Sequence, residues 1–165
     1  MSDGRVALRR WRPEDRGAFI RLAEDPEILE WTGRTAKTDE LFDYYLKLDS
    51  SFAVTMNDEV IGAVSLFENS MTRSVRALKL YEIAFYLFPK DQGAGLGREA
   101  VHMAIIAAGE RFGADAVIAG TSVENDRARH LIEREGGRYC FSREGASFTE
   151  AFYVIPVGRE ALRHG

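Results

Sequence analysis

Strand-like runs and helical periods alternate along the chain. Residues 6–11 have strand character, and Pro13-Glu-Asp places proline and acids where the first turn of a helix takes them. Phe19, Ile20, Leu22 and Ala23 give that helix an apolar side. Asp25-Pro26 breaks it, residues 27–31 predict another short turn or two, and 33–37 read as loop. A second helix starts at Thr38 and carries Leu41, Phe42, Tyr45 and Leu48. Residues 51–56 and 60–67 are strands on either side of Asn57-Asp58-Glu59, a hairpin turn. A polar connection over 69–74 follows, and Arg76 leads into residues 80–88, which are apolar or aromatic everywhere except Glu82. That run is too short to span a membrane and stops at Pro89.

Residues 97–112 place Val101, Ile105, Ala108 and Phe112 at helical spacing, and Gly113 ends the helix. Residues 116–123 form the next strand. Strand, helix and strand in succession imply a parallel pair joined by a right-handed crossover. Residues 125–135 read as a further helix closed by Gly136-Gly137, and 138–142 and 150–157 as two last strands around a loop containing Gly145. No repeat, low-complexity tract or linker divides the 165 residues, so residues 1–165 are expected to form a single domain.

Composition narrows the function classes. With 45% hydrophobic and 29% charged residues the chain has the make-up of a soluble globular protein. The start, Met-Ser-Asp-Gly-Arg, has no apolar signal region, and the single cysteine, Cys140, allows no internal disulfide framework. A reducing cytoplasm is the expected location. A net charge of −4 without a basic stripe argues against nucleic-acid binding. The three histidines, His102, His130 and His164, have no ligand spacing, so no metal site is expected. Cys140, alone in a strand, reads as a small core residue rather than a nucleophile.

The candidate chemistry sits after the strand at 80–88. Gln92-Gly-Ala-Gly-Leu-Gly97 precedes Arg98-Glu-Ala, the start of an amphipathic helix. Glycines let a backbone approach a ligand closely, and amides at a helix start attract anions such as a diphosphate. A nucleoside-triphosphate loop needs Lys-Ser or Lys-Thr after its glycines, and none follows. Gly95-Leu-Gly97-Arg-Glu-Ala100 formally meets the dinucleotide pattern, but Pro-Lys-Asp-Gln separates it from its strand, and hairpin strands precede it. The spacing Gln92-x-x-Gly95-x-Gly97 resembles the coenzyme A loop of the GNAT acetyltransferase superfamily. A glycine-rich turn without a ligand is the plain alternative.

The resemblance covers nearly the whole chain. It rests on two motifs at the right separation, the loop at 92–97 and Asn125-Asp-Arg-Ala128, which matches Asn-x-x-Ser/Ala at the following helix. Tyr81-Glu-Ile-Ala-Phe-Tyr-Leu-Phe-Pro89 looks like the branch containing ribosomal-protein N-terminal and spermidine acetyltransferases, with Ala84 where that branch has glycine. The resemblance implies an α/β GNAT fold: a mixed, mostly antiparallel sheet of about seven strands with flanking helices. Its central parallel pair would be the fourth and fifth strands, 80–88 and 116–123. It also implies an N-acetyltransferase with acetyl-CoA as co-substrate and a primary amine as acceptor, either a protein N-terminus or a polyamine-like small molecule. Many relatives dimerise, so a homodimer is possible. A GNAT-fold module that binds acyl-CoA or a peptide without turnover is the alternative, and a nicotinamide dehydrogenase is a third reading.

By the same resemblance, the backbone of Phe85, Tyr86 and Leu87 pairs with the pantetheine arm. The amides of Gln92, Gly93, Ala94, Gly95, Leu96, Gly97 and Arg98 cradle the diphosphate, and Asn125 and Ala128 lie near the pantetheine and thiol. Asparagine before a helix is equally an N-cap. Glu82, the one ionisable group in an apolar strand, is the candidate base, since burial raises a carboxyl toward a useful range. A carboxylate paired with an arginine or lysine on the sheet is the structural alternative. A backbone N–H near residues 85–87 is the expected oxyanion donor. Relatives that protonate the leaving thiolate use a tyrosine seven residues beyond the asparagine; here that residue is Ile132. Glu27, Glu30, Trp31, Asp39, Phe42, Asp43, Tyr44 and Tyr45 are either the mouth for a cationic acceptor or two solvated helix faces.

Overall fold

A computed structural model describes residues 2–3, 5–32, 38–69 and 78–158. The expected loop at 33–37, most of the connection at 69–74, Arg76 and His164 lie outside the described residues. Among these residues eight strands run β1 (Ser2–Asp3), β2 (Val6–Arg10), β3 (Ser51–Met56), β4 (Glu59–Glu68), β5 (Leu80–Leu87), β6 (Ala116–Ser122), β7 (Arg138–Glu144) and β8 (Thr149–Pro156). The helices are α1 (Arg16–Ala23), α2 (Pro26–Thr32), α3 (Thr38–Lys47), α4 (Leu96–Glu110) and α5 (Asp126–Arg134). The strands are hydrogen-bonded in the order β1-β2-β3-β4-β5-β6-β8-β7. The two-residue β1 is the addition to the seven expected, so the expected fourth and fifth strands are β5 and β6. They are parallel, Leu80 facing Ala116 and Ile83 facing Ala119, as the crossover through α4 requires. The ladder stops at Ile83, whereas β5 runs on to Leu87.

Residue contacts divide the chain into two compact units: Met1–Ser65 with Phe85–Met103, and Leu66–Ala84 with Ala104–Gly165. In the first, β2, β3 and β4 form an antiparallel meander. Asn57 and Asp58 take positive φ of 51° and 63° at its hairpin, the primed-turn geometry that matches strand twist. Its core is aromatic: Phe19 lies 5.2 Å from Trp11 and from Phe42, and 5.4 Å from Tyr45. The edge-on pairs with Trp11 and Tyr45 add to what area burial alone supplies. Phe42 and Tyr45, candidates above for an acceptor mouth, belong to this core. Asp39 and Asp43 instead share the Arg16 guanidinium, at 3.1 and 2.5 Å.

Pro13–Asp15 forms a 3-10 turn ahead of α1 rather than its first α-turn. Asp15 is buried and accepts from Arg9 at 2.7 and 2.9 Å and from the Arg12 amide at 2.8 Å. Burial pushes its carboxyl up, but the Arg9 and Arg12 hydrogen bonds outweigh that and hold it below the usual carboxylate range.

In the second unit β6, β8 and β7 pair antiparallel, with a register shift between Tyr139 and Phe141. All of β7 is exposed. Cys140 falls at that irregularity and is exposed, so the expectation of a small core residue is corrected. Among the described residues β7 is the edge strand, paired only with β8. Ile132, at the position of the relatives' tyrosine, is wholly buried.

Candidate functional site

β5 positions two sets of candidate residues by strand alternation: Glu82 and Tyr86 on one face, Phe85 and Leu87 on the other. Past Leu87, Phe88 donates its N–H to Ile61 at 2.9 Å, and a 3-10 turn at Pro89–Asp91 carries the chain away from the strand. The Gln92 side-chain amide donates to the Leu87 carbonyl at 3.1 Å and folds the loop back on the strand end. Gly93 and Gly95 have φ of +87° and +79°, the left-handed region in which a side chain is strained. Gly93, Ala94 and Gly95 are exposed, and buried Leu96 anchors the far side of the loop. The first α4 backbone bond runs from the Glu99 N–H to the Gly95 carbonyl at 3.2 Å. Leu96, Gly97 and Arg98 therefore form the first turn of α4, where the backbone N–H groups point out of the helix end. Nothing lies within 4 Å of where a Cβ on Gly93 would be, so the loop leaves room for a ligand there.

In the second unit, Glu82 faces Ile118 across the parallel ladder. The Asn69 side-chain amide donates to Glu82 Oε2 at 3.4 Å. Burial, and then the Glu150 carboxylate, push the Glu82 carboxyl up; the Asn69 hydrogen bond and the Arg143 charge oppose them without prevailing. Arg143 is ion-paired with Glu150 at 3.3 Å and packs over the Phe152 ring at 5.1 Å. Gly120 makes room for this group, since a Cβ there would come within 2.7 Å of Glu150 Oε1 and 3.0 Å of Phe152. Glu82 thus takes one hydrogen bond from an amide and feels two opposed charges, a carboxylate and the arginine paired with it. Asn69, Arg143 and Glu150 went unnoticed in the sequence. Their signal was polarity at or beside strand ends, and they lie 13, 61 and 68 positions from Glu82 along the chain.

Asn125 caps α5: its side chain accepts from the Ala128 N–H at 3.2 Å. The Asn-x-x-Ala spacing is therefore a capping geometry, whatever else it contacts. Asn125→Ala is expected to lower stability by about 1 kcal/mol, with Asn125→Asp restoring most of it, as read from urea midpoints. A loss in both variants would mean that the amide nitrogen has a further partner. Tyr139, near the vacant tyrosine position in sequence, is 58% exposed and shares a hydrogen bond with Ser142 at 3.0 Å. Among the described residues no group of three or more His, Cys, Asp or Glu side chains is placed to hold a metal ion. Among the same residues no helix is long and apolar enough to cross a membrane.

An acetyltransferase (GNAT) domain model matches residues 5–138, more than half of the chain, and the protein belongs to that family of acyltransferases. Similar solved structures include spermidine N-acetyltransferase from Vibrio cholerae in complex with CoA and spermine. Its TM-score is 0.78 at 19% identity, covering 94% of this chain and 97% of that one. RimJ from Mycobacterium smegmatis in complex with CoA-disulfide gives 0.77 at 18%, covering 97% and 85%. The putative acetyltransferase yncA from Salmonella typhimurium, with acetyl-CoA, gives 0.76 at 22%, covering 96% of each chain. At these identities the likeness is one of fold.

Proposed function

We propose that this chain transfers the acetyl group of acetyl-CoA directly to a primary amine, either a protein N-terminus or a polyamine-like small molecule. The carrying observation is that β5 outruns its parallel ladder by four residues and leads, through the Pro89–Asp91 turn, into a glycine loop and a helix start. Phe85, Tyr86 and Leu87 are the strand residues beyond that ladder, and their backbone suits an extended pantetheine arm. The loop from Gln92 to Arg98 fits a diphosphate: its exposed glycines leave space, and the α4 first turn directs N–H groups and the positive end of its dipole to one place.

Acetyl-CoA supplies an acyl group already activated as a thioester, so the chain needs no covalent nucleophile. The task left to the protein is the proton. An alkyl amine with a pKa of about 10 arrives as ammonium at neutral pH. Glu82 takes that proton, directly or through a water, and burial raises its carboxyl, which makes it a stronger base than an ordinary carboxylate. Asn125 offers an amide to the pantetheine beside Ala128. Ile132 is a buried hydrocarbon, so the departing thiolate takes its proton from solvent or another side chain, or leaves without one.

The test is release of free thiol from acetyl-CoA over a panel of amines, alongside thermal shift with CoA and with NADH. Thiol release that depends on an amine, with stabilisation by CoA alone, is the expected outcome. Stabilisation by CoA without turnover on any amine or peptide would make the chain a binding module. Stabilisation by NADH alone would overturn the reading.

A further inference from the structure

The turn ahead of β2 brings an arginine to the glycine loop from the far end of the sequence. Glu99, in the first turn of α4, accepts from the Arg5 backbone N–H at 3.0 Å and from Arg5 Nε at 2.8 Å, and pairs with Nη2 at 2.6 Å. The Arg5 hydrogen bonds hold this carboxylate below the usual carboxylate range. Two of these contacts hold the guanidinium itself, through Nε and Nη2. Arg5 Nη2 is 3.3 Å from where a Cβ on Gly95 would be, so the guanidinium lies against the loop backbone at a position with φ of +79°. The Arg5 side chain is 54% exposed.

We propose that Arg5 is a phosphate-binding residue of the 92–98 loop, a cation that no loop motif contains. The inference rests on the acetyl-CoA reading above. A guanidinium has five N–H donors in a planar fork, and gripping Glu99 uses only its Nε and Nη2 side. Glu99 offsets part of the charge, so what Arg5 adds is directed donors rather than bare attraction. Loop amides and a fixed arginine would then meet a phosphate from two elements. CoA carries phosphate chemistry in two places, its diphosphate and its 3′-phosphate, and either source fits this guanidinium.

Calorimetric titration of the full chain and of Arg5→Gln with CoA and 3′-dephospho-CoA, together with kcat/KM for acetyl-pantetheine, tests the proposal. Arg5→Gln is expected to weaken CoA about tenfold, the loss of one charge-assisted hydrogen bond, and to leave acetyl-pantetheine within twofold. An equal loss for 3′-dephospho-CoA assigns the diphosphate; no loss there assigns the 3′-phosphate. Unchanged CoA affinity, or an equal loss with acetyl-pantetheine, overturns the proposal and leaves Arg5 as a tether for Glu99. Arg5→Lys, which keeps a cation but loses the fork, should recover part of the CoA affinity, and a variant no better than Arg5→Gln would overturn it too. A wild-type chain that does not bind CoA sinks the cofactor reading itself, a separate result read before any variant.

Discussion

Glu82→Gln is expected to lower kcat by about 10²- to 10⁴-fold while leaving CoA affinity within twofold. The carboxyl is lifted first by burial and then by Glu150. In the wild type, kcat/KM should therefore rise with pH along a limb that lies above the ordinary carboxylate range. Glu150→Gln should move that limb down, and Arg143→Gln should move it up, because the two charges act on Glu82 with opposite sign. The stability effect runs the other way from activity. A carboxyl raised in the folded state keeps its proton to higher pH than in the unfolded chain. Its contribution is fully present below the unfolded value and lost as pH rises through the folded one. Glutamine does not ionise, so the variant should melt no lower than wild type at pH 7 to 8. A variant that binds CoA poorly but turns over normally would remove Glu82 from the role of base.

Gly62→Ala is expected to destabilise the protein by about 2 to 3 kcal/mol, the range of overpacking in a rigid site. A Cβ on Gly62 would fall inside van der Waals contact of the Tyr86 carbonyl oxygen and Leu87 Cδ2, and 3.0 Å from Leu87 Cα. Two of these three atoms are backbone, so relief requires moving β5 itself. That is the stretch proposed to carry the pantetheine arm, and CoA affinity should fall with stability. Gly17→Ala is the control: its Cβ would meet only Arg21 Nη1, at an ordinary 3.5 Å, and it lies in α1. It should be neutral or add up to about 1 kcal/mol. Urea midpoints at constant m separate the two, and equal stabilities would contradict the packing argument.

The hydrophobic pattern located the helices and the longer strands because burial and turn chemistry are local. Asn57-Asp58, Gly113 and Gly136 all adopt the positive φ that their turns require. The pattern failed where burial depends on what lies across the sheet. Phe42 and Tyr45 could as well have lined a mouth, and only the Trp11 and Phe19 rings packed against them decide that they form core. Cys140 has the local look of a core strand, yet β7 is the exposed edge strand beyond β8.

The sequence by itself determined the family, the strand-to-loop-to-helix order around Gln92, and the isolation of Glu82 in an apolar strand, since each is written in contiguous residues. Only the tertiary structure decided who stands beside those residues. Arg5 reaches Glu99 across 94 positions, and Glu150 with Arg143 acts on Glu82 from separate strands. Register and chain crossing set these charge environments, and electrostatic influence follows distance in space rather than along the chain.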